Sequence, residues 1–449
     1  LTDNISEKAP QSRRALQRRL RVRKTWRMAV IIGVAILGGV AAAGFARLCD
    51  GAMHLHGRLY ALAPLASLIL LPAGMAAATW LTRRFAPEAA GSGIPQVIAA
   101  AEERWRGRWG GQRVTLRTAV WKVVLSAALL VCGASIGREG PTVQVVAGIT
   151  RTLTRGLKGG PGRRAIIIAG GAAGVAAAFN TPIAGIVFAF EELASGFERR
   201  THMTAILVVV VAGATSYGLQ GDYAYFGVIE GRSNLAAAWL VAPLLGVAGG
   251  LFGGVFSRLL AEVIGPGDSP LRSWRRAHPV VFAALCGLVA AAAAWFSAGL
   301  TFGAGYDEAK ALLRGAPEGG GGFAVWKFVA TLAAACSGAP GGIFAPSLAI
   351  GAGMGSALAA TGLTAVAMRD AVVLGMCGYL SGVVQAPLTS AVILMEMTRA
   401  PGLVGPLLLA ALIARAVSGQ IMPEPIYHLL SRSWRLTPAV PRRRARARR

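Results

Sequence analysis

Gly137-Arg138-Glu139-Gly140-Pro141 interrupts one apolar stretch of the chain, and Gly342-Ile343-Phe344-Ala345-Pro346 interrupts another at a fixed offset of 205 residues. The same offset carries Ala119-Val120-Trp121-Lys122 onto Ala324-Val325-Trp326-Lys327, and Pro182 with Glu191 onto Pro387 with Glu396. Interruptions at matching places in two hydrophobic halves mark a site near the bilayer midplane where half-helices meet. The halves fall near residues 30–200 and 235–420, joined by the polar stretch 220–234, and make one inseparable domain. Spacing alone leaves parallel and inverted repeats open; inversion is the expectation, because it is common in such folds.

Hydrophobic residues make up 54% of the 449. Stretches such as 26–48 and 62–81 are long enough to cross ~30 Å of hydrocarbon. The expected class is an all-α polytopic membrane protein. The first stretch runs past the apolar length of a cleavable signal peptide, and no soluble domain follows it.

The net charge of +26 is concentrated at the ends, where basic flanks mark the cytoplasmic side of membrane segments. Both termini are therefore expected in the cytoplasm, with an inner-membrane, multi-pass location. The run at 12–24 (SRRALQRRLRVRK) reads as a basic helix on an anionic leaflet. The expected organisation is a basic N-terminal helix at 1–25, a transmembrane domain at 26–436 and a basic tail at 437–449. The tails lack interleaved aromatics, so nucleic acid is not expected as a partner.

Cys49, Cys132, Cys286, Cys336 and Cys377 are scattered without metal-ligand spacing, and the histidines are equally dispersed. Neither a disulfide framework nor a metal site is implied, and no cofactor is expected.

Apolar helices read at about 26–48, 62–84, 115–133, 142–156, 164–178, 182–195, 203–217, 235–261, 277–297, 322–337, 346–362, 368–383, 387–399 and 403–418. Several are too short to span and read as re-entrant or buried segments. Loops are expected at 102–117, 151–164 and 315–322.

Four places place glycine or a small polar residue, then proline, ahead of an apolar helix: Gly91-Ser92-Gly93-Ile94-Pro95, the two interruptions above, and Pro423-Glu424-Pro425-Ile426-Tyr427. Proline suits the first helical turn, where its missing N–H has no intrahelical partner to lose. A helix N-terminus carries unpaired N–H groups and about half a positive charge, which makes it an anion site. Several such termini converging hold a small anion firmly enough to admit it and weakly enough to release it. A single break of this kind is an ordinary kink; four with repeat symmetry are not.

The ordered set G-S-G-I-P, G-R-E-G-P, G-x-F-x-P and a late tyrosine resembles the CLC family of chloride channels and chloride/proton antiporters, over about residues 25–435. The resemblance implies a chloride site made by the hydroxyls of Ser92 and Tyr427 and the backbone N–H groups of Ile343 and Phe344. On the residues alone, Ser92 also suits a helix N-cap and Tyr427 an interfacial belt.

Glu139 stands in an apolar setting, where an ionisable residue is a functional candidate. Its neighbour Arg138 offers another outcome, in which the adjacent pair neutralises itself. By resemblance Glu139 is the external gate, whose carboxylate imitates the anion at a helix N-terminus while its protonated form does not. Glu191 has the mate Glu396 and reads as architectural, whereas Glu192 is matched by Met397 and points about 100° away around the helix. Glu192 is therefore the better candidate for function, and it matches the family's internal proton-transfer glutamate. The alternative is that both glutamates cap a helix end in solvent. Lys122, in an apolar run, needs polar partners; its mate Lys327 argues for a structural part, and the resemblance adds a role in organising the internal proton path. Gln96 and Ile98 depart from the acids many bacterial relatives carry there.

The function expected from the resemblance is a secondary transporter exchanging about two chloride ions per proton. It implies a homodimer in the lipid bilayer with one pathway per subunit. An uncoupled chloride channel is the alternative. Tyr427 with intact G-R-E-G-P argues against fluoride selectivity, and Ser92 in place of proline argues against nitrate. A hydrolase with Ser92 as nucleophile lacks a histidine at matching depth, so the chain is not expected to be an enzyme. Regulatory domains after Tyr427 are not expected.

Overall fold

The computed structural model describes residues 8–102, 113–157, 162–194, 199–221, 226, 234–316, 322–362 and 366–436. Most of the expected loop at 102–117, parts of those at 151–164 and 315–322, most of the linker 220–234, and the basic tail 437–449 lie outside them.

The described residues form 18 α-helices and no strand. The first half holds α1 (Lys8–Leu62), α2 (Ser67–Phe85), α3 (Ile94–Glu102), α4 (Leu116–Val131), α5 (Glu139–Leu153), α6 (Arg163–Phe179), α7 (Pro182–Phe188) and α8 (Arg199–Gln220). The second holds α9 (Leu235–Ile264), α10 (Pro270–Ala277), α11 (Pro279–Phe296), α12 (Tyr306–Leu313), α13 (Gly322–Cys336), α14 (Phe344–Ala360), α15 (Met368–Val384), α16 (Pro387–Thr398), α17 (Val404–Ile421) and α18 (Ile426–Leu436). Six helices, in α1, α2, α8, α9, α11 and α17, are long and apolar enough to cross a membrane.

The apolar periodicity locates the long helices but not α3, α10, α12 or α18, of which α3 and α18 are signalled only by the Gly/Pro breaks ahead of them. These are short or carry polar faces, so their apolar signal is weak. The basic run at 12–24 is helical, but α1 continues unbroken through residue 25, so this run and the first apolar stretch are one helix. At 1.5 Å per residue its 55 residues reach roughly 80 Å. The basic run is therefore the first part of α1 and not a separate helix.

The two halves are joined at their interruptions. Gly137 and Gly342, which are repeat mates, pair in an isolated antiparallel bridge: Gly137 N–H donates to Gly342 O at 2.7 Å and Gly342 N–H to Gly137 O at 2.8 Å. A residue paired antiparallel with its own mate lies on a local two-fold axis. From that bridge α5 and α14 lead away in opposite senses, so the halves are inverted.

The same symmetry recurs in the side chains. Glu191 accepts from the N–H groups of Leu388 and Thr389 at the start of α16, at 3.1 and 2.6 Å. Its mate Glu396 accepts from Ile183 and Ala184 at the start of α7, at 3.1 and 2.7 Å. Each carboxyl caps the other half's helix, satisfying two of the donors that a helix N-terminus leaves unpaired.

Small residues bring the central helices together. Gly249 and Gly253 on α9 face Gly378 and Gly382 on α15 so closely that a Cβ on any of them would overlap backbone. This is the small-residue packing that membrane helices use where no hydrophobic force between them is available.

Candidate functional site

The site forms where the N-termini of α3, α5, α14 and α18 converge. The loop before α3 is stitched to the loop before α14: Gly91 N–H donates to Gly338 O and Gly341 N–H to Gly91 O, both at 3.1 Å. Gly93 takes a left-handed φ of 103° to turn the chain into α3, a conformation glycine adopts without steric cost. The Ser92 hydroxyl then lies against Gly140, where an added Cβ would collide with Oγ. Three of the four expected interruptions are thus in direct contact, and the fourth supplies Tyr427 at the start of α18.

Ser92 Oγ and Tyr427 OH are buried neighbours, and neither has a hydrogen-bond partner of good geometry within the protein. Buried hydroxyls are rarely left so. The Tyr427 ring is stacked on Phe344, with centroids 6.0 Å apart and planes at 5°; Phe179 and Phe188 pack on Phe344 from other sides. Ile343 is the N-cap of α14 and Phe344 its first residue, so their N–H groups belong to the turn that has no intrahelical acceptors. A Ser92 N-cap interaction is replaced by this arrangement, and Tyr427, 1% exposed, is not an interfacial tyrosine.

The helices start slightly earlier than their prolines suggest. α5 begins at Glu139 and α14 at Phe344, which puts Pro141 and Pro346 third in their helices rather than first. Both remain within the turn whose N–H groups lack partners, so the missing donor still costs nothing. The consequence is that Glu139 itself is the first residue of α5.

Glu139 is 1% exposed. Its Oε1 accepts from the Tyr306 hydroxyl on α12, while Oε2 lies against Gly137 and the carboxyl faces the amide of Ala345 in α14. Arg138 lies within electrostatic reach of it. The Arg138 guanidinium turns to α1, donating to Ala46 O at 2.8 Å and Asp50 Oδ1 at 2.6 Å, and it lies over the Tyr306 ring at 5.8 Å.

Glu192 sits in a π-helical turn, Ala189–Leu193, that continues α7. Such turns occur mostly as single insertions at functional positions. Glu191 points to α16 as described, while Glu192 is 3% exposed, so a shared role as solvent caps is overturned. Its Oε1 lies 3.9 Å from Nε2 of His428 on α18, too far for a direct hydrogen bond. Both Glu139 and Glu192 act electrostatically on the Tyr427 hydroxyl.

Lys122 Nζ donates to the carbonyls of Ala89 and Gly91 at 2.8 and 2.6 Å, with Ala90 O at 3.4 Å. Lys327 Nζ does the same to Thr301 and Gly303 at 3.0 and 2.8 Å, with Phe302 O at 3.4 Å. Each lysine fastens the loop that leads into a short helix, α3 or α12. Lys122 therefore anchors the loop carrying Ser92. Gln96 donates to Ala90 O at 2.5 Å and reinforces the same loop.

Tyr306, Asp50 and His428 were not singled out from sequence. For Tyr306 a signal existed: Gly305-Tyr306 opens α12 with a left-handed glycine as Gly93-Ile94 opens α3, but the spacing to the next helix differs between the halves, so the fixed offset misses the match. Among the described residues no cluster of His, Cys, Asp and Glu is arranged to hold a metal.

Converging helix N-termini, unpaired hydroxyls and a buried carboxyl at the meeting of two inverted halves define a membrane protein that moves small anions. The chain belongs to the CLC family: the family model described as voltage gated chloride channel matches residues 73–419. Among solved structures it is similar to a slow cyanobacterial Cl−/H+ antiporter, with 26% identity and a TM-score of 0.77 over 91% of this chain and 97% of that one. It shares its fold with a CLC-type fluoride/proton antiporter (23% identity, TM-score 0.74, 90% and 98% covered). A eukaryotic CLC transporter shares it too (22% identity, TM-score 0.70, 90% and 74% covered).

Proposed function

We propose that this protein is a chloride/proton antiporter in which Glu139 is the external gate and Glu192 the internal proton-transfer group. The observation that carries this reading is the buried Glu139 carboxyl at the N-termini of α5 and α14, next to a pocket whose hydroxyls, Ser92 and Tyr427, lack partners. A carboxylate there takes the place of an anion. Protonation removes its charge and hence its attraction to the helix termini, so chloride displaces it. Chloride then rests on Ser92 and Tyr427 and on the N–H groups of Ile343 and Phe344, donors that replace its hydration shell. Each excursion of the gate exchanges a proton for chloride. A secondary transporter of this kind, by analogy with the family, moves about two chloride ions per proton.

Glu192 supports coupling rather than passive conduction. A second buried carboxyl, within electrostatic reach of Tyr427 and close to the half-buried His428, gives protons a station on a route separate from the anion. Lys122 contributes by holding the Ser92 loop in place, and Arg138 by bracing Tyr306 and α1. No cofactor or enzymatic step is needed. The protein acts as a homodimer with one pathway per subunit, in the inner membrane with both termini in the cytoplasm.

Proton flux from purified protein in liposomes under an imposed chloride gradient tests this. Wild type pumps protons uphill; Glu139→Ala and Glu192→Gln each abolish proton movement while chloride still moves. Chloride flux without any proton movement in wild type makes the protein an uncoupled channel and leaves Glu192 without a transport role.

A further inference from the structure

Tyr306 stands at the boundary between Glu139 and an open cavity of about 360 Å³ whose lining includes Asp50, His54, Arg138, Tyr306, Glu308 and Lys310. The ring is half-buried, with Phe226 packed on it at a centroid distance of 6.0 Å and the Arg138 guanidinium over it at 5.8 Å. Arg138 is in turn held by Asp50 and Ala46 O on α1. At the other end of the residue, the hydroxyl donates to Glu139 Oε1. The loop that leads into its helix is fastened by Lys327. These contacts orient the phenol toward the carboxyl.

The repeat sharpens the point. In the first half the glycine turn into α3 delivers Ser92, which lies before the glycine and against Gly140; in the second, the equivalent turn into α12 has Ala304 in that place and delivers Tyr306 two residues further on. The same backbone device serves the anion in one half and the gate in the other.

We infer that Tyr306 is a positioning residue that latches the Glu139 carboxylate in the anion pathway and so sets how strongly the gate competes with chloride. The latch rests on the gating role proposed for Glu139. A hydrogen bond from a hydroxyl to a charged acceptor is stronger than one between neutral groups, so its loss releases the carboxylate and favours chloride in its place.

Chloride affinity, measured by titration calorimetry on the purified full-length protein, tests this through a double-mutant cycle. Tyr306→Phe retains the ring packed on Phe226 and Arg138 and removes the hydroxyl alone. Chloride binds about tenfold more tightly to Tyr306→Phe than to wild type, by the size of one charge-assisted hydrogen bond, and more tightly still to Glu139→Gln. Adding Tyr306→Phe to Glu139→Gln changes nothing further. Chloride efflux from liposomes, faster in Tyr306→Phe than in wild type, reports the same release without relying on calorimetry. If Tyr306→Phe matches wild type while Glu139→Gln tightens binding, the gate stands and the latch is overturned. An equal effect of Tyr306→Phe in both backgrounds also overturns it, since the hydroxyl then acts on the cavity and not through the carboxyl. Unchanged affinity in Glu139→Gln removes the gating role itself, and the latch with it.

Discussion

Lys122 and Lys327 show how backbone carbonyls accommodate an ammonium group in an apolar setting. Each ammonium has three donors and meets three consecutive carbonyls at a loop end, so the charge is solvated by backbone dipoles. Removing either leaves those carbonyls buried and unsatisfied, a loss of roughly 3 kcal/mol. Lys122→Met and Lys327→Met should both lower the thermal midpoint in detergent by similar amounts. They should differ in chloride affinity: only Lys122→Met weakens it, because only its loop carries Ser92. Equal weakening in both would make Lys122 a general anchor with no special hold on the anion site. The lysine's need for polar partners was legible in sequence; the partners were not, since carbonyl acceptors leave no mark on residue identity.

At the level of helices, the exchanged caps bind the halves to one another. Glu191 and Glu396 each take two N–H donors from the opposite half. Replacing either with alanine frees two donors at a helix N-terminus and costs about 2 kcal/mol, at the upper end for a lost cap. Thermal unfolding of Glu191→Ala and Glu396→Ala should show matching losses, with Glu192→Gln close to wild type in stability though deficient in proton transport. A Glu192→Gln protein as unstable as Glu191→Ala would mean that Glu192 holds the fold instead. The distinction between Glu191 and Glu192 could be read from the repeat because the cap is duplicated with the halves, as Glu191 and Glu396, while Glu192 has no acidic mate. The π-helical turn that separates the two side chains could not, as it depends on packing against α6 and α3. Nor could α12, whose eight residues carry two acids and a lysine and so present little apolar periodicity.

Across the whole molecule, inversion makes a direct geometric demand: equivalent positions in the two halves face opposite sides of the membrane. Single cysteines at Arg117, at the start of α4, and Gly322, at the start of α13, are both exposed positions. In oriented liposomes they should react with a membrane-impermeant thiol reagent added to opposite faces, against a background of native cysteines that are buried or partly so. Labelling of both from one face would contradict the two-fold relation implied by the Gly137–Gly342 bridge. The duplication itself was plain in the sequence, and so was the class of fold. Its inversion was not, because a repeat offset records correspondence and carries no direction; it took a residue hydrogen-bonded to its own mate to supply one.

That bridge also bears on how the pathway acquired a front and a back. Two identical half-chains meeting at Gly137 and Gly342 would offer the same groups to both faces of the membrane, and an ion arriving from either side would meet the same door. In this chain Glu139 is answered across the axis by Phe344, Arg138 by Ile343, Glu192 by Met397 and Ser92 by Ala304. The frame has stayed a palindrome, while its fittings have diverged until a buried carboxyl on one side of the axis answers to an aromatic ring on the other.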